Sequence, residues 1–268
     1  MIILWNFFLF IAGACLGSFA VAQTWRFRVA QKPSDKNLRY VKKDRSHCLT
    51  CGYQLKWFDL IPIISWLVLK GRCRQCRAKI GWLEITAELL LGLVFVGSYL
   101  CWPFSFSAWG IIMFIIWLIS LVIMTILFIY DLKWSLLPSL GLQFLLICAI
   151  LLLICNWLQG NFVVAQIWSL LGALAILPGV YFILYFVSKG RWVGSGDYIL
   201  AFGLALILAS WQLSFATLFL ANLIGSIIGA TGMITKKLGH KSHIPFGPLL
   251  IAAFLIIFFL QNWLLSLL

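Results

Sequence analysis

The run Trp109-Gly110-Ile111-Ile112-Met113-Phe114-Ile115-Ile116-Trp117-Leu118-Ile119-Ser120-Leu121-Val122-Ile123-Met124-Thr125-Ile126-Leu127-Phe128-Ile129-Tyr130 contains no charged residue, and Asp131 follows it directly. At 1.5 Å per residue a helix of this length covers about 33 Å, enough for a hydrocarbon core of about 30 Å. It is apolar on every side, a pattern for lipid or a large protein interior. Similar runs recur outward from it in both directions. Eight spans are expected, at 2–24, 84–102, 109–130, 139–157, 163–187, 197–211, 215–235 and 248–267, the sixth being short. The predicted fold class is therefore an all-α polytopic membrane protein.

Composition supports this. Of 268 residues, 63% are hydrophobic and 10% charged, and the mean hydropathy is +1.06. A soluble domain is nearer half apolar and one quarter charged. The 22 Phe and 14 Trp exclude a disordered chain.

The net charge of +13 is concentrated in one place. Residues 25–83 carry 14 of the 20 Lys and Arg and three of the seven acidic residues. If that segment is cytoplasmic, the later inner breaks hold Lys133, then Lys189 and Arg191, then Lys236, Lys237 and Lys241. The outer breaks near 103–108, 158–162 and 212–214 hold no Lys or Arg. This is the positive-inside pattern, and it predicts an outside N-terminus. The organisation expected is a first transmembrane helix over 1–24, a basic cytoplasmic loop over 25–83 and a membrane core of about seven helices over 84–268. The basic charge points to anionic membrane lipids as partners and not to nucleic acid.

Within the loop, Cys48-x-x-Cys51 and Cys73-x-x-Cys76 form two pairs separated by 21 residues. Two such knuckles can aim four thiolates at one tetrahedral zinc ion. A pair of disulfides is the alternative, disfavoured in a reducing cytoplasm. Four protein ligands would close the site, so zinc would brace the loop and do no chemistry. Between the pairs, the stretch from Trp57 to Trp66 is too short and proline-broken to span, and reads as interfacial or docking.

The acidic residues are Asp35, Asp44, Asp59, Glu84, Glu88, Asp131 and Asp197. Glu84 and Glu88 share a helix face at the start of the second span, where the helix dipole accounts for them. Asp131 ends the third span and Asp197 begins the sixth, both at the cytoplasmic face in this topology. Carboxylates at bilayer depth are expensive and tend to be functional. Two that meet in a poorly hydrated site share one proton, as aspartic peptidases require. The bland alternative makes them helix caps paired with Lys133 and Arg191. A proton-coupled transporter or channel using the same carboxylates is the rival from another class. His47, His240 and His243 all lie in cytoplasmic segments, with no Ser visibly paired to a His and a carboxylate.

The motifs together resemble the type 4 prepilin leader peptidases, a family of GxGD-type membrane aspartic peptidases. Gly13-Ala14-Cys15-Leu16-Gly17-Ser18-Phe19, followed by Arg26, is similar to the family's opening motif. Cys48 to Ile80, with Asp59-Leu60-Ile61-Pro62 at its centre, resembles the zinc loop. Ile129-Tyr130-Asp131-Leu132-Lys133, continuing to Leu137-Pro138, resembles the first catalytic motif, and Gly194-Ser195-Gly196-Asp197 matches the second. Ile244-Pro245-Phe246-Gly247-Pro248 matches a further signature. The resemblance implies catalysis by Asp131 and Asp197, zinc on Cys48, Cys51, Cys73 and Cys76, and close substrate approach at Gly194 and Gly196. It also implies a bacterial inner or cytoplasmic membrane location, prepilin or pseudopilin precursors as substrates, and methylation of the new N-terminus with S-adenosylmethionine. Three positions depart from the pattern, Val21, Ser139 and Ile199, and they weaken the case for methylation. A basic leader would be repelled by the basic loop, so either anionic lipid holds that loop aside or Asp35, Asp44 and Asp59 line a groove for the leader.

Overall fold

The computed structural model describes residues 2–32, 41, 45–159, 164–235 and 245–266. The chain divides into two compact units, Met1–Cys101 and Trp102–Leu268.

In the first unit, helix α1 (Ile2–Gln31) packs along α3 (Trp82–Leu100). Small residues allow the close approach. A β-carbon at Gly13 would stand 2.8 Å from Gly92 Cα, and one at Gly17 would stand 2.7 Å from the Ala87 carbonyl oxygen. The spacing of Gly13 and Gly17 is the small-x-x-x-small stripe by which membrane helices interlock. Between the two helices the chain forms the cysteine module, a single 3-10 turn at Trp57–Leu60 and the five-residue helix α2 (Ile64–Val68). Trp57, Ile64, Leu67 and Val68 are well exposed there, as an interfacial segment requires, while the Trp66 ring packs against that of Trp82.

The second unit comprises α4 (Ala108–Trp134), α5 (Ser139–Leu158), α6 (Val164–Ser188), α7 (Ser195–Leu208), α8 (Trp211–Ile234) and α9 (Phe246–Ser266). Trp117 stacks on Phe258 at 4.0 Å and anchors α4 to α9. Helix α7 packs against α5, α6, α8 and α9, and buries Leu200, Ala201, Leu204, Ala205 and Leu206 among them.

Among the described residues, seven helices are long and apolar enough to cross a membrane. Helix α7, the expected sixth span, has 14 residues. It rises about 21 Å, short of the roughly 30 Å core. Half of it is buried against its neighbours, with Phe202 left exposed. Two other spans run longer than hydropathy suggested. Helix α1 continues to Gln31 because Thr24 and Arg28 of its polar end remain buried in the unit. Helix α4 continues to Trp134, so Asp131 lies inside its last turn and not beyond its end.

Candidate active site and metal centre

The two cysteine knuckles repeat one local design. In each, the first Cys N–H donates to a carbonyl five residues on, Cys48 to Tyr53 and Cys73 to Ala78, both at 2.8 Å. The return bonds run from Gly52 to Cys48 and from Arg77 to Cys73. Both returning residues take positive φ, +73° at Gly52 and +59° at Arg77. Each turn thereby points two thiols the same way, and all four Sγ atoms lie within 4.8 Å of one another. Cys48 Sγ and Cys76 Sγ are 3.8 Å apart. A tetrahedral site with Zn–S bonds of about 2.3 Å has S···S edges of about 3.8 Å, so the four residues fit zinc. All eight cysteines are free thiols.

Burial raises the Cys48 thiol, but the N–H groups of Cys51 and Thr50 and the Cys73 and Cys51 thiols outweigh it, lowering its pKa to about 7. Cys76 behaves oppositely. The Ala78 N–H lowers it, yet desolvation and the three neighbouring sulfurs prevail and push it up to about 12. Without metal the cluster therefore gives up one proton near neutrality and holds another tightly.

Asp59 joins the two knuckles. Its side chain is only 2% exposed, and Oδ1 accepts from Arg74 Nε at 2.8 Å. Oδ2 accepts from the Lys56 N–H at 3.2 Å and from Tyr53 Oη at 3.4 Å. A carboxylate so fully engaged holds the module together, and Asp59 also lines the cavity of the first unit. The other two groove candidates, Asp35 and Asp44, lie outside the described residues.

Glu88 also has a role that helix-dipole placement does not capture. It is buried in α3, and its Oε2 accepts from the Ile63 N–H at 2.7 Å. Ile63 adopts φ +63° and ψ −54°, and the Ile64 N–H reaches the Pro62 carbonyl at 2.6 Å. This is the rare φ-positive γ-turn, a strained form. Glu88 pins the turn from 25 positions away.

In the second unit, Asp131 is 4% exposed in the last turn of α4. Its Oδ2 accepts from the Gly247 N–H at the start of α9, at 3.0 Å. Asp197 occupies the first turn of α7, where its Oδ2 accepts from the Gly194 N–H at 2.9 Å. The two carboxylates lie within electrostatic reach of each other. Leu137, from the link between α4 and α5, fills the space at Gly196, where a β-carbon would stand 2.8 Å from Leu137 Cβ. Leu137 also lies 3.5 Å from a β-carbon placed on Gly247. One leucine thus abuts the elements that carry and brace both aspartates.

The bacterial peptidase A24 N-terminal domain family matches residues 11–102, nearly the whole first unit. Over 254 residues the chain is 30% identical to a type 4 prepilin-like proteins leader peptide-processing enzyme of Escherichia coli O78:H11, covering 90% of this chain and 88% of that protein. The chain belongs to the prepilin leader peptidase family. Another relative bearing the name prepilin leader peptidase/N-methyltransferase, from Bacillus subtilis, is 29% identical over 250 residues, 91% of this chain and 90% of its own. A third, from Vibrio cholerae, is 27% identical over 257 residues, 93% and 94% of the two chains. No solved structure matches.

For a prepilin peptidase family member, the structure brings together the cysteine quartet and, separately, the two aspartates. Gly194 and Gly196 have structural employment, one bonding Asp197 and the other making room for Leu137. Sequence reasoning quoted Gly247 and Leu137 only as parts of motifs, and assigned neither a role of its own. Its one available signal was Gly247's place between Phe246 and Pro248, where a helix start with a free N–H is expected.

Proposed function

We propose that this protein is a membrane aspartic endopeptidase that removes the leader from type 4 prepilin-like precursors at the cytoplasmic membrane face. The observation that carries the reading is that Asp131 and Asp197 lie within electrostatic reach of each other, each braced by a backbone N–H from a glycine. The relatives' names support the substrate class. The positive-inside distribution of Lys and Arg supports the orientation.

Two carboxyls that meet in a poorly hydrated site share one proton, and the cycle is written with Asp197 as the base and Asp131 as the acid. The Asp197 carboxylate takes a proton from water as the water oxygen bonds to the scissile carbonyl carbon. Asp131 gives its proton to the carbonyl oxygen, yielding a gem-diol. Asp197 then protonates the amide nitrogen, Asp131 recovers a proton from the gem-diol, and the C–N bond breaks. The dyad ends as it began, with one proton.

Zinc held by Cys48, Cys51, Cys73 and Cys76 braces the loop as a closed structural site. S-adenosylmethionine fits less well. Of two cavities, the one of about 390 Å³ is lined almost wholly by apolar side chains such as Leu146, Leu174 and Phe202, and the one of about 260 Å³, with Arg26, Glu84 and Glu88, is smaller than most small-molecule pockets. A transport path is disfavoured because the buried Ser120 and Thr217 spend their hydroxyls on their own helices, bonding Ile116 and Leu213.

The test is cleavage of a purified precursor pilin in liposomes by the wild type, Asp131→Asn and Asp197→Asn. Cutting by the wild type alone, with both variants folded, supports the dyad. Normal cutting by either variant overturns it.

A further inference from the structure

Tyr181 lies in α6 and is 2% exposed. Its ring tilts against Phe246 at a centroid distance of 5.1 Å, one residue before the glycine that holds Asp131. Its hydroxyl is within electrostatic reach of the Asp197 carboxylate. That hydroxyl is fully buried and has no hydrogen-bond partner among the described residues. Asn222 of α8 lies beside it but outside bonding geometry, and the Asn222 Nδ2 donates to the Leu218 carbonyl at 2.8 Å.

A buried tyrosine hydroxyl ordinarily finds a partner, and leaving one unpaired carries a penalty that a phenylalanine in the same place would avoid. Phenylalanine would pack on Phe246 equally well. The contrast with Ser120 and Thr217 is instructive, since both satisfy themselves within their own helices. Tyr181 instead packs its ring on Phe246 at the start of α9 and interacts electrostatically with Asp197. None of the described residues supplies its partner, and the peptide that enters the dyad site brings backbone carbonyls.

We propose that Tyr181 is a further catalytic residue of this site, its phenolic O–H donating a hydrogen bond to a backbone carbonyl of the peptide being cut. The inference rests on the peptidase reading above. The hydroxyl keeps its proton throughout; only the hydrogen bond forms and is released with the product. Because the bond is made with the reacting peptide, its loss lowers turnover without loosening the fold.

The test compares full-length wild type with Tyr181→Phe in the same liposome assay, measuring kcat and KM alongside the thermal unfolding midpoint in detergent. The expected result is a fall in kcat of about tenfold or more with an unchanged or raised midpoint, as loss of a transition-state donor that is unpaired in the free protein produces. Equal turnover in the two proteins overturns the proposal. So does a fall in turnover matched by a fall in midpoint, which would make the hydroxyl a structural bond. Failure of the wild type to cut a precursor that a related peptidase cuts would overturn the peptidase reading itself, and this inference with it.

Discussion

The Gly247 N–H donates to Asp131 Oδ2 at 3.0 Å, joining residues 116 positions apart, and a β-carbon on Gly247 would stand 2.7 Å from that same oxygen. Glycine therefore serves twice, as donor and as the only residue small enough to let the carboxylate approach. Gly247→Ala moves Asp131 while leaving the first turn of α9 intact, since alanine favours helix. Cleavage is expected to fall at least tenfold with helix content and unfolding midpoint preserved. Normal cleavage by this variant would mean that Asp131 tolerates displacement.

Gly196 supplies a packing prediction. Its missing β-carbon leaves the space that Leu137 occupies at 2.8 Å. Gly196→Ala forces the start of α7 away from the link between α4 and α5, at a cost of about 1–3 kcal/mol, as overpacking generally does. Thermal unfolding in detergent measures this, and an unchanged midpoint would show that the link yields.

Zinc retention should depend on pH in one direction. Metal binding requires thiolates, so protons compete with it. Cys48 has its pKa lowered from 9.0 to about 7, and above that it is already ionised and ready to bind. Below it the thiol must first give up a proton, so affinity falls as pH falls. One zinc per chain is expected at about pH 8, with increasing loss to a chelator as the buffer is taken below about 7. Cys73→Ser should remove the metal throughout. Stoichiometric zinc in Cys73→Ser would exclude the four-sulfur site.

Asp59→Ala should act on the module and not on recognition of the leader. It deletes the acceptor shared by Arg74, Lys56 and Tyr53, and charged hydrogen bonds of this kind contribute about 1.5–3 kcal/mol each. Faster proteolysis between the knuckles and weaker zinc retention are the expected signs. A variant with intact zinc affinity but altered KM for the precursor would support the groove reading.

Much of the architecture is visible in the sequence because it is local. The Cys pairs carry their spacing within four residues, and the apolar runs became helices with ends shifted by a few positions. The larger errors lie where hydropathy and helicity part company. At Asp131 the polarity changes but the backbone does not, so α4 runs on and the carboxylate is buried inside its last turn. Glu88 could be assigned to a helix dipole because its partner, the Ile63 N–H, sits in a strained turn 25 residues earlier. The bracing of Asp131 by Gly247 was hidden for the same reason, being a contact across most of the second unit.

The brevity of α7 has an evolutionary consequence. Its first turn is tied to Gly194 and Leu137, and after its fourteenth residue only Ala209, at φ +49°, and Ser210 separate it from α8. Each residue added to a helix rotates the chain beyond it by about 100° and advances it by 1.5 Å. A single insertion between Asp197 and Leu208 would swing the whole of α8 out of register, with no slack on either side to absorb it. Length variation among descendants of this protein should therefore be purged from the fourteen residues of α7.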